Sequence, residues 1–194
     1  MRSITNNELL LVLRIFKSPE KDFNANNIAK HIGISSMGAL KISKSLEKDG
    51  ILKSKIVGKA IIYKINFNNG YAKDYVRFAL KRESQQAHPY TKRWISEIKK
   101  LTNAKAGILF GSVLRENKKA RDIDLLLVTN KETFSNLQKQ VEEINGINIK
   151  KIHPVYQTKE DIIRGIGEEN KVILNAIKGI VAFGEDLVIN ILEQ

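Results

Sequence analysis

Residues 109–128 read LFGSVLRENKKARDIDLLLV. A Gly-Ser pair stands about ten residues ahead of Asp122-Ile123-Asp124, and Asp124 runs straight into Leu125, Leu126, Leu127 and Val128. Carboxylates are rare where a strand enters a core unless they are paired or hold a cation. In an extended segment side chains alternate, so Asp122 and Asp124 share one face. Two carboxylates side by side repel unless a cation lies between them. A hard divalent ion with oxygen ligands, Mg²⁺ or Mn²⁺, meets that need and bridges to phosphates. Gly111 lets a phosphate approach the backbone, and Ser112 adds a hydroxyl donor at a corner expected to leave N–H groups free.

Outward from this stretch, short strands alternate with helical segments. KAGILF before it and INIKKIHPVYQ after it are expected strands, and KETFSNLQKQVEEI between is helical, with Phe134, Leu137, Val141 and Ile144 on one stripe. KEDIIRGIGEENKVILNAIKGI is helical with a break near Gly165–Gly167, and VAFGEDL closes the chain. The alternation implies a mixed sheet flanked by helices over 104–194.

Towards the N-terminus the rhythm differs. A helix is expected from Asn7 to about Lys17, and a second, capped by Asn24, stops at Gly33. Ser35 or Ser36 caps a third, in which Ala39, Ile42 and Leu46 should face the core while Lys41, Lys44, Ser45 and Lys48 face away. ILKSKIVGKAIIYKIN then alternates about Gly58, as a hairpin does. This order predicts a winged helix-turn-helix over 1–68, with Ser36 and Met37 at the start of the recognition helix and Lys59 at the wing tip. Residues 69–103 are expected to form linking helices, with Trp94 a core anchor and His88 exposed before Pro89.

The chain has 194 residues, enough for one large domain or two small ones, and its 42% hydrophobic content suffices for packed cores. It carries no cysteine, which excludes disulfides and thiolate metal sites and fits a reducing, cytoplasmic setting. The apolar stretch near the start is interrupted by Arg14 and Lys17 and is too short to span a membrane. The net charge of +12 favours polyanionic partners, although a Lys-rich composition produces the same balance without one.

Residues 5–67 resemble winged-helix regulators of the MarR/ArsR kind, on IAKHIGIS, SLEKDGIL and the hairpin that follows. That resemblance implies DNA contact through Ser36, Met37, Lys41, Lys44 and Lys59; supporting a homodimer or binding a protein is the other role left open for such a unit. Residues 104–160 resemble minimal nucleotidyltransferases of the polymerase-β superfamily, whose pattern is an apolar residue, Gly, Gly or Ser, a spacer, and Asp-x-Asp in an apolar strand. It implies that Gly111, Ser112 and Arg115 hold an NTP, that Asp122 and Asp124 bind metal and carry catalysis, and that a nucleoside monophosphate passes to a protein or RNA acceptor. Lys118, Lys119 and Arg121 would add positive charge. Many members carry a third carboxylate on a later strand, whereas INIKKIHPV offers Asn148, Lys150 and His153. The departure leaves two readings open: a transferase, or a DNA-binding regulator whose second domain only binds nucleotide or supports a dimer. The fold class expected from both halves is α+β, with α/β character in the second.

Overall fold

The computed structural model describes residues 4–194. The expectations at Met1–Ser3 lie outside the described residues. The chain divides into two compact units, one reaching Ala79 and the other running from Leu80 to Leu192.

The first unit is a winged helix-turn-helix. Helix α1 (Asn6–Phe16) starts at a capping box in which Thr5 and Glu8 satisfy each other's backbone N–H groups. Helix α2 (Ala25–Ile32) is capped by Asn24, whose Oδ1 accepts from Asn26 and Asn27 at 2.9 Å. It ends where Gly33 turns left-handed at φ 73°. Ser35 caps α3 (Ser36–Lys48). Strands β1 (Leu52–Val57) and β2 (Ala60–Ile65) pair antiparallel with Val57 opposite Ala60, so Gly58-Lys59 is a two-residue turn. Gly58 at φ 59° supplies the left-handed first position that such a turn can demand. Phe23 bridges to Tyr63, which fixes the segment before α2 to the hairpin.

Leu11, Val12, Phe16, Phe23, Ile28, Leu46, Ile51 and Tyr63 are buried. On α3 the buried set is Ala39, Ser43 and Leu46, not Ala39, Ile42 and Leu46. Both spacings fit a helical stripe, and the observed one turns Ile42 to the margin, where it is half-buried.

Helix α4 (Gly70–Gln86) contributes residues to both units, and α5 (Pro89–Ile98) lies wholly in the second. His88 is not merely exposed: its Nδ1 accepts from the Tyr90 N–H at 3.2 Å and caps α5.

The second unit is built on a four-stranded sheet in the order β5-β4-β3-β6. These strands are β3 (Ala106–Phe110), β4 (Ile123–Val128), β5 (Ile152–Gln157) and β6 (Ile180–Phe183). Strand β3 pairs antiparallel with both β4 and β6, whereas β4 and β5 run parallel. The parallel pair needs a crossover, supplied by α7 (Lys131–Ile147). Because α7 runs to Ile147, β5 begins only at Ile152, later than the run INIKKIHPVYQ suggests. A single helical turn, α6 (Val113–Glu116), and a 3₁₀ turn, Asn117–Lys119, lead from β3 towards β4.

The last helical stretch is broken. Helix α8 (Lys159–Gly167) ends, Glu169 adopts φ 53°, and Asn170 caps α9 (Lys171–Ala176). Helix α10 (Glu185–Leu192) follows β6. Trp94, Ile95 and Ile98 of α5 share a core with Ile123, Leu125 and Leu127 of β4 and Leu137, Val141 and Ile144 of α7. Phe134 is half-buried and packs edge-to-face on Tyr156, with ring centroids 5.1 Å apart. Since Ile123, Leu125 and Leu127 point into that core, the alternate positions of β4, beginning with Asp124, point to the opposite face.

Candidate functional site

The register of the sheet assembles the site. Asp124 lies opposite Phe110, the last residue of β3, and opposite His153, the second residue of β5. Asp122 stands just before β4, rather than inside it as DIDLLLV suggests. It still reaches the same face, because one ligand atom each from Asp122, Asp124 and His153 lie within 4.8 Å of one another. His153 Nδ1 is 3.2 Å from Asp122 Oδ2.

The Gly-Ser turn closes over this group. Gly111 has φ 78°, and a Cβ there would lie 1.9 Å from Asp124 Oδ2. Only a residue without a side chain brings the corner this near the carboxylate. The Ser112 N–H donates to Asp124, so this donor is engaged and not left free for phosphate, as the sequence suggests. The cause is the left-handed bend at Gly111, which folds the start of α6 back towards β4. The Ser112 side chain makes no capping bond to α6.

Burial raises the Asp124 carboxyl above its ordinary value, and the neighbouring charge of Asp122 raises it further. His153 and the Ser112 N–H act in the opposite direction. The site therefore places two carboxylates close together, one of them partly desolvated, with a ring nitrogen beside them. A divalent cation would relieve the repulsion, and three donors at this separation fit one.

The loop between α6 and β4 is pinned from behind. Lys150 Nζ donates to the carbonyls of Lys118 and Ala120 and lies 5.6 Å from the centroid of the Tyr90 ring. Arg115, Lys118, Lys119 and Arg121 are exposed around it. Asn148 is not part of β5. It is the buried C-cap residue of α7, where its Oδ1 accepts from Arg93 at 2.7 Å and its Nδ2 donates to the Ile144 carbonyl at 2.9 Å. Of the three residues that INIKKIHPV offers in place of a third carboxylate, His153 alone joins the aspartates. Sequence spacing could name it, but only the parallel register puts it opposite Asp124.

A cavity of about 250 Å³ lies at the other end of β4 and β5, lined by Thr129, Asn130, Lys131, Phe134, Tyr156, Gln157, Thr158 and Asp161. None of the residues expected to bind nucleotide or metal lines it.

The residues expected to meet DNA all lie in the first unit. Ser36 and Met37 open α3, and Met37 is 74% exposed. Lys41 and Lys44 are exposed on the face away from Ala39, Ser43 and Leu46, and Lys59 is exposed in the turn between β1 and β2. Ile56 and Val57 are also exposed, so the wing is apolar as well as basic.

No family model matches the chain, and no curated protein matches it. Solved structures do. A ZitR mutant from Lactococcus lactis is 16% identical, with 52% of this chain and 62% of that chain covered and a TM-score of 0.35. MepR, a transcription regulator of the Staphylococcus aureus multidrug efflux pump MepA, is 12% identical over 51% of this chain and 78% of that one, with a TM-score of 0.36. A MarR family protein of Mycobacterium tuberculosis, in complex with salicylic acid, is 17% identical over 50% and 77%, with a TM-score of 0.31. The chain thus spans less than two thirds of the ZitR length. TM-scores this low leave the architecture to rest on its own elements. No described helix is long and apolar enough to cross a membrane.

Proposed function

We propose that this chain is a DNA-binding regulator whose second unit binds a divalent metal together with a nucleoside triphosphate. The observation that carries the second half is the convergence of Asp122, Asp124 and His153 beneath the Gly111-Ser112 corner. Asp122 and Asp124 would hold the metal, and the exposed Arg115 would meet phosphate from the rim. The first half rests on the winged-helix order of elements, with Ser36, Met37, Lys41 and Lys44 along the outer side of α3 and Lys59 on the wing. Helices so placed enter the major groove in winged-helix proteins that bind DNA. The test is thermal unfolding with MgATP, MnATP and the other NTPs. A ligand bound only by the folded state raises the midpoint by mass action. Asp124→Asn should lose most of that rise, and an equal rise in wild type and variant would overturn the reading.

A second reading goes further, to transfer of a nucleoside monophosphate onto a protein or RNA acceptor. It is favoured by the pairing of both aspartates with a Gly-Ser corner, the combination that nucleotidyltransferases of the polymerase-β type use. A bound metal would stabilise the attacking and leaving oxygens. Labelled NTP incubated with the protein and cell extract decides between the two. Label on protein or RNA that is lost in Asp122→Asn establishes the transferase, and nucleotide binding without transfer leaves the regulator.

A further inference from the structure

We propose that His153 is a metal ligand, making with Asp122 and Asp124 a mixed nitrogen–oxygen set that selects a first-row transition-metal ion over Mg²⁺. The inference rests on the reading that the two aspartates bind metal, and adds which ion they bind. The geometry carries it. His153 sits directly opposite Asp124 across a parallel pair, so both side chains leave the sheet on the same face. Its Nδ1 is already 3.2 Å from Asp122 Oδ2, and all three donors fall within 4.8 Å. The His153 side chain is 63% exposed and that of Asp122 35%, while Asp124 is half-buried.

The donor chemistry then decides between ions. Mg²⁺ demands oxygen ligands in a near-octahedral shell and keeps several waters. Imidazole suits iron, nickel, copper and zinc, whereas Mg²⁺ and Mn²⁺ are held chiefly by oxygen donors, and affinities at a nitrogen-bearing site rise along the first-row series from Mn²⁺ to Co²⁺ and beyond. A carboxylate at position 153 would have given an all-oxygen set suited to Mg²⁺. The imidazole replaces one hard oxygen donor with nitrogen, which weakens Mg²⁺ more than Co²⁺. The positions are held by the sheet itself, since two of the three ligands lie within hydrogen-bonded strands and the third is one residue before one. The Ser112 N–H bonded to Asp124 would orient that carboxylate, as outer partners of metal ligands do.

The experiment uses the full chain stripped of metal. Binding of Mg²⁺, Mn²⁺ and Co²⁺, each alone, is followed by calorimetry. Bound Mn²⁺ is examined by pulsed electron paramagnetic resonance for coupling to an imidazole ¹⁴N. Co²⁺ should bind more tightly than Mg²⁺ by about tenfold or more, as the affinity order at a nitrogen-bearing site implies, and His153→Ala should lose most of that preference. The ¹⁴N coupling should be present in wild type and absent in His153→Ala. His153→Asp should bind Mg²⁺ more tightly than wild type does, and circular dichroism should show both variants folded, because the side chain is exposed. Equal affinities for Mg²⁺ and Co²⁺, or bound Mn²⁺ without imidazole coupling, overturn the proposal. If Asp124→Asn still abolishes binding in that case, the two-aspartate reading survives. If the wild type binds none of the three ions, both fall.

Discussion

A Cβ on Gly111 would stand 1.9 Å from Asp124 Oδ2 and 2.8 Å from Asp124 Cγ, so the carboxylate fills the space that a side chain at this corner would need. Gly111→Ala must therefore move Asp124 or the turn. It also places a side chain at φ 78°, which costs on the order of 1–2 kcal/mol by itself. The expected outcome is a loss of at least that stability, with metal affinity reduced in the same variant. Denaturant unfolding and calorimetry measure the two effects, and a fully stable variant with unchanged metal affinity would show that the close approach is immaterial.

Asp124 supplies a prediction about pH. Burial first, and Asp122 second, lift its carboxyl above the ordinary value, so the folded chain holds this proton more tightly than the unfolded chain. Its contribution to stability is greatest in acid and is lost as pH rises from the ordinary carboxylate range through the raised value. Asp124→Asn removes that penalty. The metal-free variant should be more stable than wild type at neutral pH, with the difference shrinking towards acid. Urea midpoints measured across the acidic range check this, and a difference independent of pH would contradict it.

Asn148 gives a structural contrast. Its side chain accepts from Arg93 at 2.7 Å and donates to the Ile144 carbonyl at 2.9 Å, and it is buried. Asn148→Ala removes an acceptor from the exposed Arg93, which water can replace, and the side-chain bond to the Ile144 carbonyl. It should cost about 0.5–1.5 kcal/mol, the net worth of an intramolecular hydrogen bond. Metal affinity should be unchanged. A stable variant, or one that loses metal, would show that Asn148 has another role.

Lys41 and Lys44 test the first unit. Each lysine on a phosphate adds about one to the salt dependence of DNA binding. Replacing both with alanine should weaken binding to duplex DNA across sequences and lower the slope of log K against log salt by about two. Fluorescence anisotropy at several salt concentrations measures it. Absence of wild-type binding at low salt would direct the winged helix to a protein partner instead.

Local signals placed most of the elements. Asn24 and Gly33 bound α2, Ser35 opens α3, and Gly58 turns the hairpin, each because a single residue type satisfies a local backbone need. The two aspartates were legible for the same kind of reason, since charge at the mouth of an apolar strand is conspicuous. What depends on partners distant in sequence was not. The Ile42-to-Ser43 rotation of the buried stripe is set by what packs against α3. Asn148 and His153 lie five residues apart in one short run, and only the end of α7 and the parallel register separate a helix cap from a member of the carboxylate cluster. The role of Lys150 in pinning 118–120 has no local signal at all.

Pro154 follows His153 within β5, at the margin of the four-stranded sheet. A proline has no N–H to offer a further strand, and in sheets it is confined to such margins. The same residue that stiffens the chain beside the proposed ligand thus blunts this rim against strand addition. Two copies of the chain cannot extend the sheet through an unbroken ladder along β5.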